Sequence, residues 1–221
     1  MHFLNIHTHQ ALTVTNEVAI GNRHDHFDSP KDRLMSCGLH PWYLDERTVE
    51  VEWTKLQSVA ISNEVVAIGE CGLDKVCKTD WEMQVHWFEQ QVVLANAIQK
   101  PLIIHCVRAY DEVLQVLTKT KNKMPVIFHG FNKKESRAKQ LVDQGFYLSF
   151  GAHLEKKEIQ QIVKVIRTDR FFLENDQSDL SIAHVYSLAA KAKGCRVEKI
   201  IEQTWVNART VFGETTALWK I

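Results

Sequence analysis

Short unbroken apolar runs alternate along the chain with longer segments in which apolar residues recur every three or four positions. The runs at 3–6, 34–37, 65–68, 102–104, 126–128, 147–150 and 171–173 are continuous, not alternating. That pattern fits parallel strands buried on both faces. Segment 81–99 is the clearest helix: Val85, Phe88, Val92 and Ala95 share one stripe, and it stops before Pro101. Further helices are predicted at 111–117, 136–143, 156–166, 182–192 and 197–211, with Gly213 as the last stop. Residues 10–31 are polar and irregular and read as a long loop after the first strand. A repeated strand–helix order means a parallel sheet of the α/β class. Seven strands favour a TIM-like (β/α) barrel with its eighth strand short or missing. No linker, repeat or low-complexity segment interrupts the chain, so a single domain over 1–221 is expected.

The polar residues at the ends of these runs are unusual. His7-Thr8-His9 closes the first strand. Residues two apart on a strand share a face, so both imidazoles can enter one cavity. Glu70, His105, His129 and Asp176 each follow a different apolar run. A lone histidine in such a place is bland, but six nitrogen and oxygen donors at the C-terminal ends of parallel strands are not. In a barrel these ends form one rim, where active sites sit. Four histidines and two carboxylates suit one or two divalent ions, Zn, Mn or Mg. Cys71 and Cys106 adjoin two of these positions and should face the helices as small buried hydrophobes. His40 and His153 also lie at strand ends and are candidates for the pocket; His24, His26, His86 and His184 rank below them.

Composition narrows the function. Of 221 residues, 45% are hydrophobic and 24% charged, which excludes a disordered, collagen-like or coiled-coil chain. Lys+Arg and Asp+Glu are equal at 27 each, so any nucleic-acid contact must rest on a local patch. Candidates for such a patch follow the strand ends: Arg108, then Lys133, Lys134, Arg137 and Lys139, then Lys156 and Lys157. Five cysteines with no CxxC pair read as reduced thiols of a cytoplasmic protein. Neither a secretory signal nor a membrane-length apolar run is visible, and no obligate protein partner is evident.

The ordered motifs resemble the TatD family of metal-dependent hydrolases and deoxyribonucleases, a branch of the amidohydrolase-like TIM barrels. They comprise HTH at 7–9, GLHP at 38–41, GECGLD at 69–74, Gln84, Phe88 and Gln91, and PLIIHC at 101–106. IFHGF at 127–131, GFYLSFG at 145–151, LEND at 173–176, and Thr204, Asn207, Phe212 and Gly213 complete the set. The resemblance implies that His7, His9 and Asp176 bind one metal, His105 and His129 another, and Glu70 bridges them. It gives Asp176 the further task of orienting or deprotonating the nucleophilic water. Arg108, His40 and His153 are the candidate substrate contacts. The implied activity is phosphodiester hydrolysis of DNA; the alternative is hydrolysis of a small ester, amide or phosphoester. The chain departs from the family pattern at Asn175, where Thr is usual, at Gly130 and Asn132, and in the loop after His9. It departs again in the short run after Asp176, and these differences bear on substrate choice.

Overall fold

A computed structural model describes residues 2–10, 16–24 and 34–213. Eight strands pair in parallel and follow one another in sequence order across the sheet. They are β1 (Phe3–Thr8), β2 (Glu17–Arg23), β3 (Met35–Cys37) and β4 (Val65–Asp74). The second four are β5 (Leu102–Val107), β6 (Val126–Phe128), β7 (Tyr147–Phe150) and β8 (Phe171–Leu173). Among the described residues seven α-helices accompany them: α1 (Val49–Ala60), α2 (Trp81–Ile98), α3 (Tyr110–Lys119) and α4 (Glu135–Asp143). The last three are α5 (Lys157–Val165), α6 (Ile182–Lys193) and α7 (Val197–Phe212). This is the order of a TIM-like (β/α) barrel, as the apolar runs predict, and the eighth strand is present.

The extra strand is β2, inside the stretch expected to be loop. Its apolar centre is only Val18, Ala19 and Ile20, all buried, between polar ends. Pairing supplies what the pattern lacks: Leu4 and Asn5 of β1 lie in register with Val18 and Ala19. The Asn5 amide also donates to Glu17 Oε1 at 2.8 Å. Helix α1 is likewise absent from the sequence reading, because it buries only Val49, Leu56 and Ala60. His26 lies outside the described residues.

The chain divides into two units, Met1–Gly21 with Ile127–Ile221, and Asn22–Val126. In the first, Leu4, Ile6, Phe128, Phe150, Phe171 and Phe172 are fully buried. Each such side chain contributes roughly 1.5–3 kcal/mol. Tyr186 of α6 ties this core to β1: its hydroxyl donates to the Leu4 carbonyl at 2.8 Å and accepts from the Leu4 N–H at 3.2 Å. Asn207 of α7 donates to the Phe171 and Thr168 carbonyls at 2.8 and 2.9 Å, fixing the helix to the start of β8. In the second unit, Phe88, Val92 and Ala95 of α2 are buried along with Ile68 and Leu73 of β4, as the stripe predicts. Asp80 caps α2, its carboxylate accepting from the Met83 N–H at 2.8 Å.

Strand β4 runs four residues past Glu70. Glycine permits this, because Gly72 pairs with His105 and a Cβ there would stand 2.1 Å from the His105 carbonyl oxygen. Only a residue without a side chain lets the two backbones approach so closely.

Candidate functional site

Each unit gathers its own cluster of imidazoles and carboxylates. In the first unit the ends of β1 and β8 are joined by backbone. The Asp176 N–H donates to the His7 carbonyl and the His9 N–H donates to the Asp176 carbonyl, both at 3.1 Å. This bridge, at Thr8 and Asp176, carries the carboxylate to the histidine pair. His7 Nε2 and His9 Nε2 lie 3.6 and 3.4 Å from Asp176 Oδ1. Asp176 holds a left-handed backbone with φ 51°. A non-glycine residue held there is strained, and such strain is commonly retained at functional sites. Asn5 and Asn175 brace the turn, with the Asn5 amide donating to Asn175 Oδ1 at 2.9 Å and the Asn175 N–H returning to Asn5 Oδ1 at 3.3 Å. Asn175 thus uses its amide where the family usually has Thr.

His129 stands beside this group, its ring 4.4 Å from that of His7. Its Nδ1 lies 3.4 Å from Glu174 Oε1, which also accepts from the Gly130 N–H at 2.8 Å. Gly130 sits at φ 58°. That left-handed turn explains glycine at this departure from the family pattern. Glu174 is fully buried. It orients His129 from behind, as outer carboxylates do at metal sites.

The second unit centres on Glu70. Oε1 lies 2.8 Å from His105 Nδ1 and 3.1 Å from His40 Nε2. Oε2 accepts from the Asn22 amide at 3.1 Å, and Asn22 Oδ1 accepts the Glu70 N–H at 2.9 Å. His40 Nδ1 accepts the Trp42 N–H at 3.1 Å. In the neutral ring that leaves the proton on Nε2, donated to Glu70. His105 Nε2 lies 3.0 Å from Asp74 Oδ2, which also accepts Trp42 Nε1–H at 2.6 Å. Burial pushes the Asp74 carboxyl up, but hydrogen bonds from Trp42, His105 and the Val76 N–H outweigh it and hold it below the usual range. Two glutamines of α2 fix the frame: Gln84 Oε1 accepts the Asp74 N–H at 2.8 Å, and Gln91 Oε1 accepts the Leu39 N–H at 2.7 Å.

Among the described residues, each unit contains one group with the donors for a cation: His7, His9 and Asp176 in the first, and His40, Glu70 and His105 in the second. Within each, one ligand atom per residue lies within 4.8 Å of the others. Mixed imidazole and carboxylate donors fit Zn²⁺ or Mn²⁺ better than Mg²⁺. So His7, His9 and Asp176 are brought together, as are Glu70 and His105, and His129 packs on His7. His40 lies deeper than a substrate contact would, hydrogen-bonded to Glu70. His153, in the turn after β7, lies 3.0 Å from the Asn132 amide. Burial lowers its pKa, and Lys156 and Lys133 add to that against the opposing pull of Glu174 and Asp176. Arg108 is exposed one residue beyond β5, at φ 54°. Lys134, Lys139, Lys156 and Lys157 are exposed and Lys133 and Arg137 half-buried, with Lys139 paired to Glu135 at 2.6 Å. Cys71 is fully buried, and burial with the adjacent Glu70 pushes its thiol well up. His86 and His184 are exposed.

The sequence reading did not single out Asn22, Asp74 or Glu174 as site residues. Asp74 had a usable signal: it stands two and four residues beyond Gly72 and Glu70 on one strand, hence on one face. Asn22 lay in the strand mistaken for loop.

Comparison with known proteins assigns the family. Residues 9–213 match the TatD related DNase family. The chain belongs to that family. A curated metal-dependent hydrolase of uncharacterized function from Buchnera aphidicola is 31% identical over 153 residues, covering 67% of this chain and 57% of that protein. The chain therefore spans little more than half the length of that relative. A protein named 3′-5′ ssDNA/RNA exonuclease TatD from Erwinia amylovora is 27% identical over 201 residues, 80% of this chain and 77% of that one. Among solved structures, a TatD family hydrolase from Entamoeba histolytica superposes with a TM-score of 0.79 at 15% identity, over 97% of this chain and 99% of that one. A TatD homolog from Escherichia coli gives 0.72 at 22% identity, over 81% and 76%. These last two bear on the fold, and they agree with the barrel. The resemblance to the TatD hydrolases drawn from the motifs is borne out at the level of family. Among the described residues no helix is long and apolar enough to cross a membrane.

Proposed function

We propose that the chain acts as one TatD-type domain, a divalent-metal-dependent hydrolase that cleaves phosphodiester bonds in single-stranded DNA. The observation that carries this reading is the His7–His9–Asp176 group, in which a backbone bridge and a strained φ aim a carboxylate at two imidazoles. His7, His9 and Asp176 would hold one ion, and Glu70 with His105 would hold a second. The bound ions supply Lewis acidity toward the phosphate and make water a nucleophile at neutral pH.

The protein residues do the rest. Asp176, with its side chain 41% exposed, orients the attacking water and takes its proton. The water oxygen forms a new bond to phosphorus, the bond to the leaving sugar oxygen breaks, and that oxygen is protonated from solvent. Glu174 keeps the His129 ring in place, and Asp74 does so for His105. Arg108 and the lysines after β6 and β7 neutralise the strand's phosphates. We place the protein in the cytoplasm, acting without an obligate protein partner.

A second reading, hydrolysis of a small ester, amide or phosphoester, draws on one feature: Ser181 already caps α6 five positions after Asp176, which leaves little chain to enclose a polymer. The test is a parallel assay of metal-loaded protein on an end-labelled single-stranded oligonucleotide and on generic esters and phosphomonoesters. Stepwise shortening of the oligonucleotide supports the nuclease. Turnover of the small substrates with an intact oligonucleotide supports the second reading.

A further inference from the structure

A surface next to the Glu70 cluster exposes two aromatic rings that the hydrolytic reading leaves without a task. Pro41–Tyr43 forms a short 3-10 turn directly after His40. Trp42 and Tyr43 are both exposed, at 51% and 49%. Neighbouring exposed aromatic rings offer a flat apolar face with a polar edge, the kind of surface that serves recognition. These two are also held in place. The Trp42 indole N–H is fixed by Asp74 Oδ2 at 2.6 Å, and its ring lies 5.1 Å from that of His40 and 5.5 Å from that of His105. Tyr43 stacks on His24, centroids 4.5 Å apart and planes within 19°. The two exposed rings are 6.5 Å apart and steeply inclined, at 71°. Because the indole is tied by its N–H edge, its position is preorganised.

A cation follows the strand pair that anchors the platform. Asp74, which anchors Trp42, pairs with Val107 across β4 and β5, and the exposed Arg108 follows at once. We propose that Trp42 and Tyr43 form a stacking site for an unpaired nucleobase, with Arg108 on the adjoining backbone phosphate. The inference rests on the nuclease reading and deepens it. Paired bases have no free face to offer, so the site would select single strands. Both residue types suit the task, since every base has a π-face and stacking tolerates sequence.

The test is the dissociation constant of the metal-loaded protein for a fluorescein-labelled oligonucleotide whose 3′ linkages are phosphorothioates, so that it is held uncut. A second oligonucleotide carries abasic residues at its 3′ end. Stacking of one base contributes roughly 1–3 kcal/mol. The protein should therefore prefer the base-bearing strand by about 5- to 150-fold. Trp42→Leu should lose that preference and Trp42→Phe keep most of it. Both variants lose the hydrogen bond to Asp74, so their difference reports the ring alone. Tyr43→Ala, which leaves Asp74 untouched, should reduce the preference in part. Equal binding of both strands by the unaltered protein, or equal loss in the Phe and Leu variants, overturns the inference. So does a dimer that Trp42→Leu dissociates, since the rings would then be covered by a second copy. Cleavage of oligonucleotides without any base preference would leave the nuclease reading standing and this one not; no cleavage at all would remove the reading beneath it.

Discussion

Asp74 Oδ2 lies 3.0 Å from His105 Nε2, on the ring edge opposite the one that meets Glu70. The imidazole is held from both sides by carboxylates, and Asp74 is itself pinned by Trp42 and by the Val76 and Cys77 N–H groups. Loss of such a supporting carboxylate typically costs 10- to 100-fold in metal affinity. We expect Asp74→Ala to weaken divalent-ion binding by about that factor. Competition against a chromophoric chelator measures it; affinity equal to that of the unaltered protein would remove Asp74 from the site.

Asp176→Asn should leave the fold and much of the bound metal intact while lowering hydrolysis by roughly 10²–10⁴-fold. The amide is nearly isosteric and still coordinates weakly, but it is a poor base. Turnover at saturating metal, with metal content determined on the same samples, is the check. A fully active variant would shift attention to Glu174, the buried carboxylate two residues earlier.

The sequence made the strand ends legible because buried parallel strands are continuous apolar runs, and a charged or imidazole residue closing one stands out. His7, His9, Glu70, His105, His129 and Asp176 were visible for that reason. β2 was not, since only Val18–Ile20 interrupt a polar stretch and pairing to β1 supplies the remainder. The role of Glu174 was hidden as well: it lies two residues before Asp176 but serves His129, 45 positions away, and spacing along a chain does not reveal such a contact. Nothing in the sequence singles out Trp42, because its contact with Asp74, 32 positions on, is made only by the fold.

Tyr186→Phe tests the clamp on β1. The hydroxyl meets the Leu4 N–H and carbonyl, and lies 2.8 Å from Thr204 Oγ1. Its loss strands buried polar groups, at about 1–3 kcal/mol. Denaturant unfolding should show that loss of stability with an unchanged m-value, while a stability equal to the parent's would mean the strand end relaxes to water.

Burial pushes the Cys37 thiol up to about 12, with Lys100 pulling weakly the other way. At pH 8 its thiolate fraction is then about 10⁻⁴, and alkylation proceeds through the thiolate. We expect Cys37 to resist iodoacetamide in the native protein up to pH 10 and to react on unfolding, as mass spectrometry would show. Rapid native labelling at pH 8 would contradict this.

The central claim is that clustered imidazoles and carboxylates make hydrolysis depend on divalent ions. It is tested most directly by the rate of cleavage of a single-stranded oligonucleotide before chelation, after exhaustive chelation, and after Mn²⁺ or Zn²⁺ is returned. The rate should fall to background and recover with the added ion; a chelated, metal-free protein that cleaves at its original rate would contradict the account.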